Sequence, residues 1–292
     1  MRWSRWSRLA LAAAVAAALA VAVEAGPAAA IDTQPAQSGS LTMTSDPGDY
    51  LGGGLSYAYS TDQGDQFYTQ VRDGGTYLAV LVFAADGSSW TLSFTTGAFD
   101  GPPLAPGTYS SSTPGVSMGA GADSRGCGTS TSTFTIRDVV FGPYQYLERF
   151  DASFEFHCEG LDPATRGDVR IVNPPAPAPL ALGVAVGAGT VNDVTGLVHL
   201  SGTVDCNHPV EVVVSGTLTQ VNKNGFRALG SVFSIVNCTG PATPWEATVD
   251  TSTIAAFNKG DAEAQVGASA TDPTYDVFVQ TVQTGLVRLR KK

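Results

Sequence analysis

Three groups of residues in this chain could carry chemistry: a serine in a G-x-S-x-G pentapeptide, three histidines, and carboxylates set in glycine-bearing turns. Gly115-Val116-Ser117-Met118-Gly119 has the spacing of a nucleophile elbow, which needs a strand before the serine and a helix after it. The pentapeptide lies in a Pro/Gly/Ser-rich stretch, residues 100–121, read as a long loop of an all-β unit, so it is read as a chance match. His157, His199 and His208 do not stand at spacings that gather the roughly four N, S or O ligands of a zinc site. Asp46, Asp49, Asp62, Asp65, Asp73, Asp86 and Asp100 all sit near glycines. Aspartate is the ordinary turn residue, and extracellular modules also bind calcium weakly through such loops. Glu148, Glu155 and Glu159 are the candidates for the two carboxylates of a glycosidase. None of these sets is complete, and the expectation is a chain with no catalytic residue, no metal and no cofactor.

Aromatic residues offer a different chemistry. Eight of the nine tyrosines fall in the first half of the chain. Tyrosine buries area at low entropic cost and suits binding platforms for sugars and proteins. Tyr57 and Tyr59 on one strand, and Tyr144 and Tyr146 at a hairpin tip, are the candidate ligand contacts; packing within the sheet is the alternative.

The elements that must position these residues are strands. In 150–158, Phe150, Ala152, Phe154, Phe156 and Cys158 share one parity, while Asp151, Ser153, Glu155 and His157 share the other. A period of two puts them on opposite faces of a β-strand, one dry and one wet. Similar short alternating runs recur from residue 40 onward between Gly, Asp and Pro turns, and no helical stripe interrupts them. The expected architecture is all-β: a β-sandwich or jelly-roll-like domain over 40–172, a stiff Pro-rich linker over 173–179, and an immunoglobulin-like β-sandwich over 180–292. Residues 31–39 are read as a flexible lead-in.

Residues 1–30 read as an export signal. Arg2, Arg5 and Arg8 precede an apolar run over 9–23, and Ala28-Ala29-Ala30 offers a cleavage site. The run is shorter than the ~20 residues of a membrane span. Four cysteines, all beyond that segment, point to disulfides in an oxidising compartment. Pairing Cys127 with Cys158 and Cys206 with Cys238 keeps each bridge inside one candidate domain. Without Arg2, Arg5, Arg8 and Glu24, 13 basic residues face 25 acidic ones, a net of −12. That balance argues against nucleic acid and against anionic membrane surfaces. Arg288, Arg290, Lys291 and Lys292 form a basic tail that acidic wall polymers could use.

Gly202-Thr203-Val204-Asp205-Cys206, Asn237-Cys238-Thr239-Gly240, Pro244-Trp245 and Val287-Arg288-Leu289 resemble a domain-of-unknown-function family of streptomycete-type exported proteins, over roughly 180–290. Phe156-His157-Cys158-Glu159-Gly160 with Arg166-Gly167 is similar to a β-rich module of multimodular secreted bacterial proteins. The resemblance implies exported β-sandwiches and brings no catalytic residues with it. The expected function is a secreted, monomeric, non-catalytic protein that binds cell-wall glycan or another extracellular protein. A glycan-acting hydrolase or its carbohydrate-binding accessory module, and a calcium-dependent adhesion module, are the alternatives.

Overall fold

The computed structural model describes residues 33–97, 101–123, 125–192, 194–251 and 255–292. The export segment 1–30 and Asp100 lie outside the described residues. Those described are all-β, with three one-turn 3-10 segments and no α-helix.

The first body has twelve described strands: β1 (Gln34–Pro35), β2 (Ser38–Ser45), β3 (Ser56–Ser60), β4 (Gln66–Arg72), β5 (Tyr77–Phe83), β6 (Ser89–Thr96), β7 (Gly107–Ser110), β8 (Val116–Ala122), β9 (Arg125–Gly126), β10 (Ser130–Phe141), β11 (Leu147–Cys158) and β12 (Ala164–Val172). They form two six-stranded antiparallel sheets, β1-β4-β5-β6-β8-β9 and β3-β2-β12-β11-β10-β7. The alternation in β11 has the expected sense: Phe150, Ala152, Phe154, Phe156 and Cys158 are buried and the residues between them are half-buried. Phe94 from the facing sheet lies 5.1 Å from Phe150 and 5.3 Å from Phe134, so aromatic contacts lock the two layers together.

Two details differ from the expectation. The supposed loop 100–121 contains β7 and most of β8. Gly119 and Gly121 of β8 leave little side chain to alternate, which hides the strand from a hydrophobicity pattern. The lead-in is also ordered: Gln34 is 7% exposed, and its side-chain amide donates to the Leu147 carbonyl and accepts from the Leu147 N–H. A buried edge residue satisfied in this way is part of the sandwich.

The second body has seven strands: β13 (Leu182–Val191), β14 (Val198–Cys206), β15 (Val210–Val221), β16 (Arg227–Cys238), β17 (Thr243–Thr251), β18 (Gly260–Thr271) and β19 (Phe278–Lys291). Their hydrogen-bonded order, β13-β14-β17-β16-β15-β18-β19, closes into a barrel. The closing seam is parallel and short, with Gly189 to Val191 opposite Leu289 to Lys291. The β16–β17 seam is two residue pairs long. Gly202 of β14 is required by close approach: a Cβ there would stand 2.0 Å from the Ala185 carbonyl oxygen and 2.7 Å from the Trp245 ring. The two hydrophobic cores share no residue. Both expected disulfides are present, Cys127–Cys158 and Cys206–Cys238, one in each body.

The stretch expected as a stiff Pro-rich linker, 173–179, runs between the two bodies. Its backbone is bonded to both. Ala176 N–H donates to Glu148 Oε1 (2.9 Å) and the Tyr275 hydroxyl donates to the Pro177 carbonyl. His208 Nε2 meets the Ala178 carbonyl at 2.8 Å, and Leu180 N–H donates to the buried Asp272 at 2.6 Å.

Candidate functional site

The wet face of β11 is where the titratable side chains gather. Antiparallel register sets Glu155 between Thr133 of β10 and Arg166 of β12, and Thr133 is opposite Ser110 of β7. His157 stands across from Thr131, on the same face. These side chains border a polar cleft of about 330 Å³ lined by Ser110, Ser111, Ser112, Ser130, Thr131, Ser132 and Thr133, with Glu155 and His157 at one wall. A serine or threonine hydroxyl offers one donor and two acceptor lone pairs. Ser130 and Ser132 share the buried face of β10 with Phe134, and the Ser130 hydroxyl donates to the Met118 carbonyl. The Ser110 and Ser112 hydroxyls bond each other and Ser111 accepts the Ser132 N–H, so Thr131 and Thr133 are the exposed hydroxyls on the face of Glu155 and His157.

A charge relay closes the wall. Glu155 takes His157 Nε2 on one oxygen (3.0 Å) and Arg166 Nε on the other (2.8 Å), and Arg166 continues to Asp46 (2.9 Å). The His157 hydrogen bond, reinforced by Arg166, holds the Glu155 carboxyl below its usual range, and Arg166 does the same for Asp46. The imidazole of His157 is raised, first because it bonds Glu155 and despite partial burial. Its Nδ1 faces the Leu161 carbonyl at 3.1 Å. Both ring nitrogens therefore face acceptors, which suits the doubly protonated ring and leaves no lone pair to activate a serine in this arrangement. Beyond the cleft, Arg137 bridges Asp151 and Asp168 at 2.7 Å each, and Arg149 pairs with Asp138 at 2.8 Å.

The signs of these shifts give a pH prediction. Glu155's lowered value adds stability above the ordinary carboxylate value, and that stability is lost as pH falls through the folded value. His157's raised value adds stability that is complete below the ordinary imidazole value and is lost as pH rises through the folded value. The pair is at full strength from about pH 4.3 to about 6.5. His157→Gln is expected to lower stability across that window by no more than about 1 kcal/mol, because the groups are partly exposed, and to remove the pair's share of the fall in melting temperature at higher pH. A profile unchanged by the substitution would show that the pair does not couple.

The other sequence candidates are placed as follows. Ser117 lies within β8, paired with Thr95, with no strand-to-helix turn around it. Glu148 and Glu155 are seven residues apart on β11, about 23 Å at ~3.3 Å per residue, far beyond the roughly 5–9.5 Å of glycosidase pairs. Glu159 is spent on the backbone N–H of Gly128 at 2.7 Å. Asp65 caps Ser60 and Ala85, Asp86 caps Ser88, and buried Asp49 holds Gly52 and Thr165. Among the described residues no group of three or more His, Cys, Asp or Glu is arranged to hold a metal ion. His199 meets Thr248 Oγ1 at 3.1 Å.

Tyr59 is 7% exposed and accepts the Trp90 indole N–H; Tyr57 packs edge-on to Trp90 at 5.0 Å and donates to the Gly52 carbonyl. That pair is packing at the rim of the sandwich core. Tyr144 and Tyr146 meet Tyr275 of the barrel, at 5.1 and 6.5 Å between ring centres. None of the four lines the cleft. The hydroxyl lining was not read from the sequence as a site. Its signal was present in the runs Ser110-Ser111-Ser112-Thr113 and Thr129-Ser130-Thr131-Ser132-Thr133, which look like loop composition until register brings them side by side.

No family model matches this chain, and no curated protein matches it. Among solved structures, it is similar to the dimeric latent PorU from Porphyromonas gingivalis, with 11% identity and a TM-score of 0.25 over 88% of this chain and 30% of that one. The chain thus spans under a third of that protein, and a likeness at this level carries no argument about fold or activity.

Proposed function

We propose that the chain is an exported, monomeric, non-catalytic binding protein, and that its first body takes a hydroxyl-rich ligand of the cell-wall glycan class in the Ser/Thr cleft. The observation that carries this reading is the cleft itself, where the exposed hydroxyls of Thr131 and Thr133 and the serines of 110–112 stand beside a Glu155–His157–Arg166 wall whose charges are already paired. Hydroxyl arrays exchange hydrogen bonds with sugar hydroxyls at little electrostatic cost, and paired charges do not have to be stripped of water to admit a neutral ligand. Export is supported by the composition of residues 1–30 and by the two disulfides. We read the second body as an immunoglobulin-like module, because seven strands named A to G in chain order follow one another around its barrel as A-B-E-D-C-F-G.

The test is sedimentation of residues 31–292 with insoluble cell-wall glycan, beside a Thr131→Val/Thr133→Val variant that keeps side-chain shape and removes two exposed hydroxyls. Binding by the unaltered chain, weakened tenfold or more in the variant, supports the reading. Absence of binding, or equal binding by both, overturns it. Release of new reducing ends, lost in Glu155→Gln, would replace it with a hydrolase.

A further inference from the structure

Charge in the second body is sorted along the barrel. Its seven basic side chains are Lys223, Lys259, Lys291 and Lys292, with Arg227, Arg288 and Arg290. Strand direction puts all seven at one end. The β15–β16 turn carries Lys223 and Arg227, the segment entering β18 carries Lys259, and the last turns of β19 carry the remaining four. The register joins these places: Asp261 is opposite Arg288, and Lys292 N–H donates to the Val191 carbonyl. Gln220, buried, bonds Asn258 on both its backbone groups and so fixes the approach to Lys259. The other end of the barrel, where the linker enters, holds Asp205, Glu211, Asp272 and Asp276 and no Lys or Arg.

The same basic end bears exposed apolar side chains at its tips. Val194 in the β13–β14 turn is 94% exposed, and Val221 and Phe226 at the β15–β16 turn are 67% and 66% exposed; Leu286 on β19 is 78% exposed. The segments that meet at this end also carry Asp193, Asp250, Asp261 and Glu263, four acidic residues against seven basic ones. The first body, by contrast, has 6 basic and 16 acidic residues over 31–179. The net negative charge of the chain averages over a strong internal polarity.

We propose that the basic end of the barrel docks on an anionic lipid bilayer, with Val194, Val221 and Phe226 entering the headgroup layer and the lysines and arginines around them meeting lipid phosphates. Apolar tips ringed by cations are what an interfacial contact requires, since buried apolar area and electrostatic attraction act together. A soluble polyanion would use the cations and leave the tips unexplained. The acidic first body is repelled by the same surface, which favours an approach through the barrel end. This proposal uses none of the cleft residues and stands whether or not a glycan binds there.

The test is co-sedimentation of residues 31–292 with vesicles of phosphatidylcholine alone and with one-third phosphatidylglycerol. Two variants with unaltered melting temperature accompany it: Val221→Ser/Phe226→Ser, and Arg288→Gln/Arg290→Gln/Lys291→Gln/Lys292→Gln. The expected result is binding to the anionic vesicles alone, weakened at least tenfold by either variant and reduced by raising salt from 0.05 to 0.5 M on the order expected for several released counterions. No binding to anionic vesicles overturns the proposal. So does binding that the serine variant leaves unchanged, or that inorganic polyphosphate competes away fully, because the cations alone would then account for it.

Discussion

Phe150→Ala is expected to cost the first body about 3–5 kcal/mol. Phe150 is fully buried on the dry face of β11, and its ring meets Phe94 from the opposite sheet, which in turn meets Phe134. Truncation removes the transfer energy of the ring and leaves a cavity between layers that the two six-stranded sheets cannot easily collapse to fill. Guanidinium denaturation followed by calorimetry would check it. The transition of the sandwich should shift to lower denaturant, while that of the barrel holds, since the cores have no residue in common. A loss below about 1 kcal/mol, or an equal shift in both transitions, contradicts the packing described here.

Replacing Cys206 and Cys238 together by alanine should have the second largest effect, at about 3–4 kcal/mol. The bridge closes a loop of sequence separation 32, and opening it returns that loop's freedom to the unfolded chain. Both half-cystines are almost wholly buried, so little solvation is gained in exchange. The bridge ties the end of β14 to the end of β16, two strands that do not neighbour each other in the barrel order. Its loss should lower the barrel's transition and leave the sandwich's unchanged. Equal stability of the bridged and alanine forms would mean that the unfolded chain is already restrained over this stretch.

Much of the architecture was legible in the residues, and the reasons are local. β11 announced itself because a half-buried strand needs strict alternation, and the two disulfides followed from confining each pair to one body. β8 did not, because Gly119, Ala120 and Gly121 give it nothing to alternate. Gln34 looked like a frayed polar lead-in because the partner that satisfies its amide, Leu147, is 113 residues away. The hydroxyl cleft was invisible for the same reason: Ser110, Thr133 and Glu155 become neighbours only through the pairing of three strands. Tyr57, Tyr59, Tyr144 and Tyr146 drew attention by residue type, but type does not say whether a ring meets solvent or another ring. The basic end of the barrel needed topology as well, since its cations are spread from Lys223 to Lys292 and seven strands fold them onto one rim.

The bonded linker has a mechanical consequence. A free Pro-rich tether would let one body swing and would absorb a pull by straightening. Here the chain from Asn173 to Leu180 is clipped at Leu147 and Glu148 on one side and at His208, Asp272 and Tyr275 on the other. A load applied between the two bodies would therefore have to part these hydrogen bonds before it met any slack. The molecule would yield in a step when those clips part, and up to that point it would behave as a strut of fixed length.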